Sequence, residues 1–257
     1  MNILEKITLA KLESLSGQKK AVPMDQMREI AKSSIKPPSL SNALRKPGLS
    51  IIGEIKKASP SKGIIDSEFD YMAIAGEYNG CVDAISVLTE EKYFLGNPKF
   101  ISRIKGIVDI PILRKDFIID SYQIFESKAL GASAILLITS LLDSIKLKNF
   151  IELSFALGMD SLVEIHNETE LYRAVRAGAD IIGINNRNLA DFSVDIRTTA
   201  RLGALIPDNI LCVSESGIAT EEDAAYIKTT SSDAILVGEA FMRNSNKSGF
   251  TEVLRNA

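Results

Sequence analysis

Residues 177–184 read AGADIIGI and show the unit from which this chain is built: a glycine ends an amphipathic segment, and an apolar run follows at once. Glycine adopts the left-handed backbone that closes many helices. A continuous apolar run, as opposed to an alternating one, is typical of a strand covered on both faces. The same device recurs as NGCVDAISVL at 79–88, LGASAILLI at 130–138 and LGMDSLVEI at 157–165. The repeat predicts a parallel sheet covered by helices.

Further apolar runs bring the predicted strands to eight. They are 51–55, 84–88, 110–113, 134–138, 161–165, 181–184, 210–213 and 234–237. Helical patterns lie at 71–78, 98–105, 121–130, 144–157, 168–177, 196–205, 221–229 and 249–255, with predicted N-caps at Asp143, Asn167, Asp195 and Thr220. This order predicts an α/β fold, a closed (β/α)8 TIM barrel. An open doubly wound sheet is disfavoured because residues 59–63, SPSKG, replace the glycine-rich phosphate turn that it needs.

The chain has 257 residues, a length that single barrels of this class commonly reach. Before the first strand, helical patterns cover 3–15 and 24–32, and prolines break the chain near 37–38 and 47. We predict that residues 1–50 form an N-terminal helical extension packed on the barrel. Residues 51–257 are predicted to form the barrel, and the whole chain a single domain.

Composition limits the possible functions. Hydrophobic residues make up 46% of the chain, enough for a large core, and a net charge of -3 argues against a nucleic-acid binder. No stretch approaches the roughly 20 apolar residues of a membrane span, and the charged N-terminus lacks the apolar block of a signal peptide. Cys81 and Cys212 have neither a metal-binding nor a redox spacing. These features predict a cytoplasmic protein that binds neither nucleic acid nor membranes.

Charged residues at the ends of predicted strands are the strongest functional signal. Glu54 and Lys56 end the first strand, Lys115 follows the third, Glu164 lies in the fifth, and Glu215 follows the seventh. An isolated ion in an apolar interior is very unfavourable, so such side chains occur where strands open into a pocket. In a (β/α)8 barrel the active site lies at the carboxyl ends of the strands. The sequence therefore predicts that these groups share one site.

Strand geometry predicts how some of these charges pair. Glu54 and Lys56 are two residues apart, so both should point to the barrel mouth and form an ion pair. Lys115 precedes Asp116 and Phe117. A lysine near other cations or in apolar surroundings has a lowered pKa, which suits a general acid. Lys115 could equally form a Schiff base, or simply pair with Asp116 at the surface.

The fifth strand places a carboxylate near the only histidine of the chain. Glu164 can stabilise a developing cation or exchange a proton with a ligand. His166 follows two residues later, but the alternation of side chains fails in a turn. We therefore predict that His166 is a loop or helix-start residue and not a catalyst, which argues against serine–histidine and histidine–metal mechanisms.

Two glycine-containing turns predict a phosphate site. Residues 214–218, SESGI, follow the seventh strand, and residues 237–240, VGEA, follow the eighth. In barrels these two loops, with a helix N-terminus, often bind phosphate through backbone N–H groups. A glycine in a tight turn without a ligand is the alternative for Gly238 taken alone, but two such turns in these places favour a phosphorylated ligand.

Motifs at six strand ends resemble those of the indole-3-glycerol phosphate synthase family. They are IGEIKKASPSKG at 52–63, SVLTE at 86–90, LRKDF at 113–117, LVEIH at 162–166, GINNRNL at 183–189 and SESGI at 214–218. The resemblance runs from about residue 51 to 242. It implies a small phosphosugar substrate, 1-(2-carboxyphenylamino)-1-deoxy-D-ribulose 5-phosphate, and the products indole-3-glycerol phosphate, carbon dioxide and water. It implies a step of tryptophan biosynthesis that needs neither a metal nor an organic cofactor.

The resemblance also implies residue roles. Lys115 protonates the ribulose carbonyl while the aromatic carbon attacks, Glu164 faces the positive charge on nitrogen, and Lys56, paired with Glu54, assists loss of the hydroxyl. The implied substrate-binding residues are Asn185 and Glu215 at the sugar hydroxyls, Arg187 and Ser59 at the carboxylate, Ser216, Gly217, Gly238 and the Glu239 backbone at the phosphate, and Leu88, Phe94, Phe117 and Leu136 around the aryl ring. Glu239 departs from the small hydroxyl residue of some relatives, which is harmless if its carboxylate turns outward.

Two other functions stay open at this point. One is another phosphosugar barrel, either an isomerase or a Schiff-base aldolase that uses Lys115; borohydride trapping distinguishes the aldolase. The other is a non-catalytic phosphate-binding barrel. It is disfavoured because it has no need for Lys115 and Glu164 on separate strands.

Overall fold

The computed structural model describes residues 3–188 and 191–257, and in these ranges eight parallel strands close into a barrel. The strands are β1 (Ser50–Ile55), β2 (Ala84–Leu88), β3 (Ile112–Lys115), β4 (Ala134–Ile138), β5 (Asp160–Ile165), β6 (Ile181–Asn185), β7 (Leu211–Glu215) and β8 (Ala234–Val237). Each strand pairs with its neighbours in chain order, and β1 closes the barrel on β8, with Ile52 opposite Leu236. The predicted (β/α)8 fold is confirmed. Met1 and, in the GINNRNL motif, Leu189 lie outside the described residues.

Helices precede the barrel and connect its strands. They are α1 (Ile3–Ala21), α2 (Met24–Ser33), α3 (Leu40–Leu44), α4 (Tyr71–Asn79), α5 (Lys99–Ile104), α6 (Ser121–Leu130), α7 (Ser144–Ala156), α8 (Glu168–Arg176), α9 (Arg197–Gly203), α10 (Glu221–Lys228), α11 (Glu239–Arg243) and α12 (Lys247–Asn256). The sequence did not predict α3 and α11, because five residues are too few for a helical period to show. Within the described ranges, no helix combines the length and apolar character needed to cross a bilayer.

Three strands continue further than their apolar runs. β3, β6 and β7 end at Lys115, Asn185 and Glu215, one or two residues beyond the predicted ends. Strand hydrogen bonding continues into the rim of the barrel, where the side chains no longer face the apolar core. A prediction based on apolar residues therefore ends each of these strands too early. These polar side chains are therefore carried by regular strands, which position them more rigidly than loops would.

Local capping signals agree with the structure at most positions. The predicted N-caps are confirmed at Asp143, Asn167 and Thr220. The N-cap of α9 is Ile196 and not the predicted Asp195, whose carboxylate instead accepts the Arg197 N–H at 3.0 Å. Glycines with left-handed backbone follow α6, α7 and α8, as predicted, whereas Gly80 after α4 is right-handed with φ -90.

Side chains on the strands alternate between two apolar layers. Ile51 and Ile55 of β1 belong to the layer between strands and helices, whereas Ile52 belongs to the layer that fills the barrel. Because the alternation has a period of two, Glu54 continues the inward series at the rim. Glu54 is only 5% exposed. Its charge therefore lies at the floor of the cavity that the rim of the barrel encloses.

The N-terminal helices contact both ends of the barrel. Leu40 and Leu44 of α3 join the interior layer, and the Ser39 hydroxyl lies 3.0 Å from the Asp160 carboxylate at the start of β5. α3 therefore closes the end where the strands begin. α1 reaches the opposite end, where its buried Lys11 forms a 2.7 Å ion pair with Asp116 directly after β3.

Candidate active site

A cavity of about 750 Å³ opens at the carboxyl ends of the strands. Its size is that of a site for a small organic ligand. Every residue that the sequence analysis assigned to catalysis or substrate binding lines this cavity. Lining residues that were not assigned include Ile3, Leu4 and Ile7 of α1, Phe192 and Val194 after β6, and Arg243 of α11. The amphipathic pattern of α1 did not predict that this helix lines the cavity, because the pattern does not indicate which end of the barrel the helix contacts.

Lys115 lies among carboxylates contributed by other strands. Its Nζ is 2.9 Å from Glu164 Oε2 and 3.0 Å from Glu215 Oε2. Asp116, the alternative partner, is instead held by Lys11 from α1. The interpretation of Lys115 as one half of a surface pair with Asp116 is therefore wrong.

The surroundings of Lys115 also correct the expectation for its pKa. Burial lowers this pKa, but the facing carboxylates of Glu164, Glu215 and Glu54 more than offset the effect, so the pKa lies above its ordinary value. The expectation of a lowered pKa is wrong because the neighbours across the barrel are anions and not cations. The side chain stays an ammonium at neutral pH, so it can donate a proton but is poorly suited to attack a carbonyl as a free amine.

The two carboxylates that share Lys115 titrate differently. Burial and the charges of Glu164 and Glu54 raise the pKa of Glu215 to about 7, although Lys115 opposes this. Burial also disfavours the Glu164 anion, but Lys115 and His166 outweigh it and hold the pKa of Glu164 below its ordinary value. The centre therefore contains one carboxylate that stays ionised and one that takes up a proton near neutral pH.

The predicted pair on β1 is confirmed at the next position around the rim. Lys56 Nζ lies 2.5 Å from Glu54 Oε1, and Gly238 after β8 lies directly against both side chains. A Cβ at Gly238 would collide with Glu54 Oε1 and stand 3.0 Å from Lys56 Nζ. A larger residue fits at this position only if the Glu54–Lys56 pair moves away from the backbone.

We expect Gly238→Ala to raise KM for the substrate by at least about tenfold, the effect of one lost charge-assisted hydrogen bond. The added methyl group displaces the Glu54–Lys56 pair and would keep the phosphate expected at this turn away from the backbone. Steady-state kinetics measure the change. Gly76→Ala, on α4 where a Cβ has open space, is the matched control and should leave KM unchanged. An unchanged KM in Gly238→Ala would contradict a phosphate site at this turn.

Two asparagines at the end of β6 hold the turn after β7. Ser216 and Gly217 in this turn have positive φ angles of 68 and 85. The Ser216 hydroxyl donates to Asn185 Oδ1 at 2.9 Å. Asn186, to which the sequence analysis gave no role, donates to the Ser216 carbonyl at 3.0 Å and accepts from the Thr199 hydroxyl at 2.8 Å. The turn is thus fixed against the neighbouring strand.

An aromatic wall forms another side of the cavity. The rings of Phe94 and Phe117 lie with centroids 5.9 Å apart. Aliphatic residues of the cavity lining include Leu88, Leu136 and Ile138. The buried Glu90 carboxylate accepts three backbone N–H groups, those of residues 92, 93 and 94, at 3.0, 2.6 and 3.0 Å. These bonds fix the backbone that carries Phe94, so the wall is preformed.

Glu239 does not present a free carboxylate to the cavity. Its Oε1 accepts from Arg243 Nε at 3.0 Å, one turn later on α11. The pairing directs this carboxylate along α11 toward a cation, although both side chains remain partly exposed. Arg243 itself lines the cavity, and the sequence gave no sign of it because α11 was too short to predict.

The remaining predicted binding residues lie on loops at the rim. Arg187 donates to the Phe192 carbonyl at 3.2 Å. Ser59 belongs to a short antiparallel hairpin that pairs it with Gly63. In the described part of the chain, no three His, Cys, Asp or Glu side chains are arranged to hold a metal ion.

His166 lies between β5 and α8, as predicted, but its ring reaches the charged centre. Nε2 is 3.4 Å from Glu164 Oε1, and Nδ1 is 3.1 Å from Glu170 Oε2. The sequence could not indicate these contacts, because the direction of a side chain in a turn does not follow from strand alternation.

Comparisons with known proteins agree with one another. The indole-3-glycerol phosphate synthase family model matches residues 4–254. A protein named indole-3-glycerol phosphate synthase from Caldanaerobacter subterraneus subsp. tengcongensis is 48% identical to this chain, over 94% of this chain and 93% of its own length. One with the same name from Clostridium acetobutylicum is 45% identical, over 99% of this chain and 98% of its own length. The solved structure of 3-hexulose-6-phosphate synthase from Salmonella typhimurium has a TM-score of 0.66 at 13% identity, covering 81% of this chain and 97% of that one. At that identity the structural match bears on the fold alone.

Proposed function

Because the chain belongs to the indole-3-glycerol phosphate synthase family, we propose that the charged side chains at the rim of its barrel carry the successive steps of that family's reaction. The chain is a carboxy-lyase of tryptophan biosynthesis that forms indole-3-glycerol phosphate from 1-(2-carboxyphenylamino)-1-deoxy-D-ribulose 5-phosphate. The reaction closes a ring, releases carbon dioxide and eliminates water. It therefore needs proton donors, a base and an anion that faces a transient cation.

Ring closure is assigned to Lys115 and Glu164. Lys115 donates a proton to the ribulose carbonyl oxygen while the aromatic carbon that carries the carboxylate attacks the carbonyl carbon. The alkoxide that develops is far more basic than an amine, so the transfer is favourable despite the raised pKa of Lys115. Attack leaves positive charge on the aryl nitrogen, which Glu164 stabilises. Loss of carbon dioxide then returns an electron pair to the ring and removes this charge.

Dehydration is assigned to the pair on β1. Lys56 protonates the hydroxyl as it leaves as water, and Glu54 accepts the proton lost from the neighbouring carbon. Their 2.5 Å contact supports this division, because the proton taken up by Glu54 can return to Lys56. Lys115 recovers its proton from solvent. Over one catalytic cycle, one hydrogen of the water formed therefore comes from the substrate carbon and the other from solvent. The proton taken from solvent balances the negative charge of the carboxylate that leaves as carbon dioxide.

The two sides of the cavity suit the two ends of the substrate. The aryl ring is assigned to the apolar wall of Leu88, Phe94, Phe117 and Leu136, and the phosphate to Ser216, Gly217, Gly238 and the Glu239 backbone. Asn185 and Glu215 are assigned to the sugar hydroxyls, and Arg187 and Ser59 to the carboxylate. The pairing of Glu239 with Arg243 supports the phosphate assignment, because a nearby cation offsets part of the repulsion between this carboxylate and a phosphate.

The observation that carries this proposal is the ammonium of Lys115 within 3.0 Å of two buried carboxylates. A Schiff-base aldolase needs its lysine as a free amine, and the carboxylates disfavour that form. A non-catalytic phosphate-binding barrel would gain nothing from burying these charges.

Indole fluorescence tests the function directly. The purified chain, mixed with the carboxyphenylamino substrate, should generate the fluorescence of an indole product. Borohydride treatment during turnover should leave Lys115 unmodified, because no imine forms there. A labelled Lys115 would reject its role as an acid, and absence of an indole product would reject the function.

Broader assignments belong to the same proposal. A step of amino acid biosynthesis on a phosphorylated intermediate supports a cytoplasmic location. The net charge of -3 disfavours a nucleic acid partner. Contacts of α1 and α3 with the barrel support residues 1–50 as an extension of a single domain.

A further inference from the structure

Glu164 is the first member of a row of charged groups that leads away from the substrate cavity. Its Oε2 faces Lys115 at 2.9 Å, and its Oε1 lies 3.4 Å from His166 Nε2. On the other side of the ring, Nδ1 lies 3.1 Å from Glu170 Oε2. His166 and Glu170 are not among the described residues that line the cavity. Neither side chain therefore contacts a ligand in the cavity directly, and Glu164 is the lining residue that His166 approaches most closely.

Glu170 is well placed to hold the histidine. It lies in the first turn of α8, and its Oε2 also accepts the backbone N–H of His166 at 2.8 Å. Its Oε1 accepts from the side chain of Asn167, the N-cap of α8, at 3.0 Å. One carboxylate is thus bound by the backbone, the ring and the helix cap, which leaves little freedom for the ring.

The ring faces carboxylates on several sides. Glu164 approaches it from β5, Glu170 from α8 and Glu215 from β7, while Lys115 of β3 lies beyond Glu164. Nε2 is buried and, among the described residues, has no hydrogen-bond partner although it is directed toward the Glu164 side. Burial lowers the pKa of His166, but these anions outweigh it and raise the pKa above its ordinary value.

We propose that His166, held by Glu170, is a positioning residue of the reaction: its imidazolium is a second cation beside Glu164 that keeps this carboxylate ionised and aimed at the substrate nitrogen. The inference rests on the role proposed for Glu164. A carboxylate between two cations ionises at lower pH than one beside a single cation. Loss of the positive charge at residue 166 therefore raises the pKa of Glu164. Because turnover needs the Glu164 anion, turnover should then be lost at a higher pH when the solution is acidified.

The pH dependence of turnover tests this relation. In His166→Gln the acid limb of kcat should move to higher pH by about one unit, the scale of one neighbouring charge. KM should stay within about twofold, because the residue does not touch the substrate. Glu170→Gln frees the ring but leaves it protonated in the acid range, so the limb should move in the same direction by less than in His166→Gln. The double variant should show no larger shift than His166→Gln alone, since both residues act along one path.

Glu168→Gln is the matched control. Glu168 lies on the same turn of α8 as Glu170 and is exposed, so the variant makes the same change of charge without touching the ring. Its acid limb and KM should equal those of the unmodified chain. An equal shift in Glu168→Gln would assign the effect to the helix terminus and would overturn the inference.

Nuclear magnetic resonance gives a readout independent of catalysis. His166 is the only histidine, so in a chain without a histidine tag its ring signals need no assignment. Its apparent pKa should lie above the ordinary value and should fall in Glu170→Gln and in Glu164→Gln, but not in Glu168→Gln. A ring that titrates normally and is unmoved by Glu164→Gln overturns the inference, as does a His166→Gln variant that loses only thermal stability. Wild-type turnover in Glu164→Gln would instead reject the role of Glu164 itself.

Discussion

Replacement of Lys115 by alanine is expected to lower turnover by at least about a hundredfold, the usual scale of one general acid. The variant loses the proton donor for the ribulose carbonyl. It also removes the ammonium that lies between the buried carboxylates of Glu164 and Glu215, so their pKa values rise and Glu164 is less often ionised. Initial rates of indole formation at saturating substrate measure the loss, which should appear in kcat and in kcat/KM alike.

Lys148→Ala is the matched control for this variant. Lys148 forms an exposed pair with Glu152 at 3.8 Å on the outer helix α7, so its removal changes the net charge by the same amount far from the cavity. Turnover should be unchanged, since pairs of this kind contribute little. Turnover of Lys115→Ala within a few fold of the unmodified chain would remove Lys115 from the mechanism.

The fold could be predicted because its signals are local and repeated. The same unit recurs along the chain: a glycine, an apolar run and an amphipathic segment. Each of these signals predicts the secondary structure of the residues that form it. Prediction failed where a helix was too short for its period to be recognised, as in α3 and α11, which have five residues each. It was also inaccurate at strand ends such as Lys115, where the strand continues after the apolar environment has ended.

The location of the candidate site could be predicted, but its protonation could not. Charges at strand ends indicated a pocket, because buried ions need one. The direction of the Lys115 pKa depends on which side chains face it across the barrel, and Glu164 is 49 residues away in the chain. The contacts of His166 depend on a turn conformation and on Glu170 in the next helix. The pKa of Lys115 and the contacts of His166 both depend on the tertiary structure, so no local sequence pattern predicts them.

Glu164→Gln is expected to lower turnover by at least about a hundredfold with only a small change in KM. Glutamine keeps the size and one oxygen of the side chain, so Lys115 retains Glu215 and an amide partner. It carries no charge, however, and so cannot stabilise the cation on the aryl nitrogen. Because this cation exists after ring closure and not in the bound substrate, the loss should fall on kcat.

The control for Glu164→Gln is Glu152→Gln, which removes the same charge from the exposed face of α7 and should leave turnover unchanged. Thermal unfolding of both variants separates a chemical loss from a folding defect. A Glu164→Gln enzyme that melts normally but is about a hundredfold slow supports the electrostatic role. One that keeps near wild-type kcat would show that the charge of Glu164 is not needed, and cation stabilisation would then have to come from Glu54 or Glu215, the other buried carboxylates near Lys115.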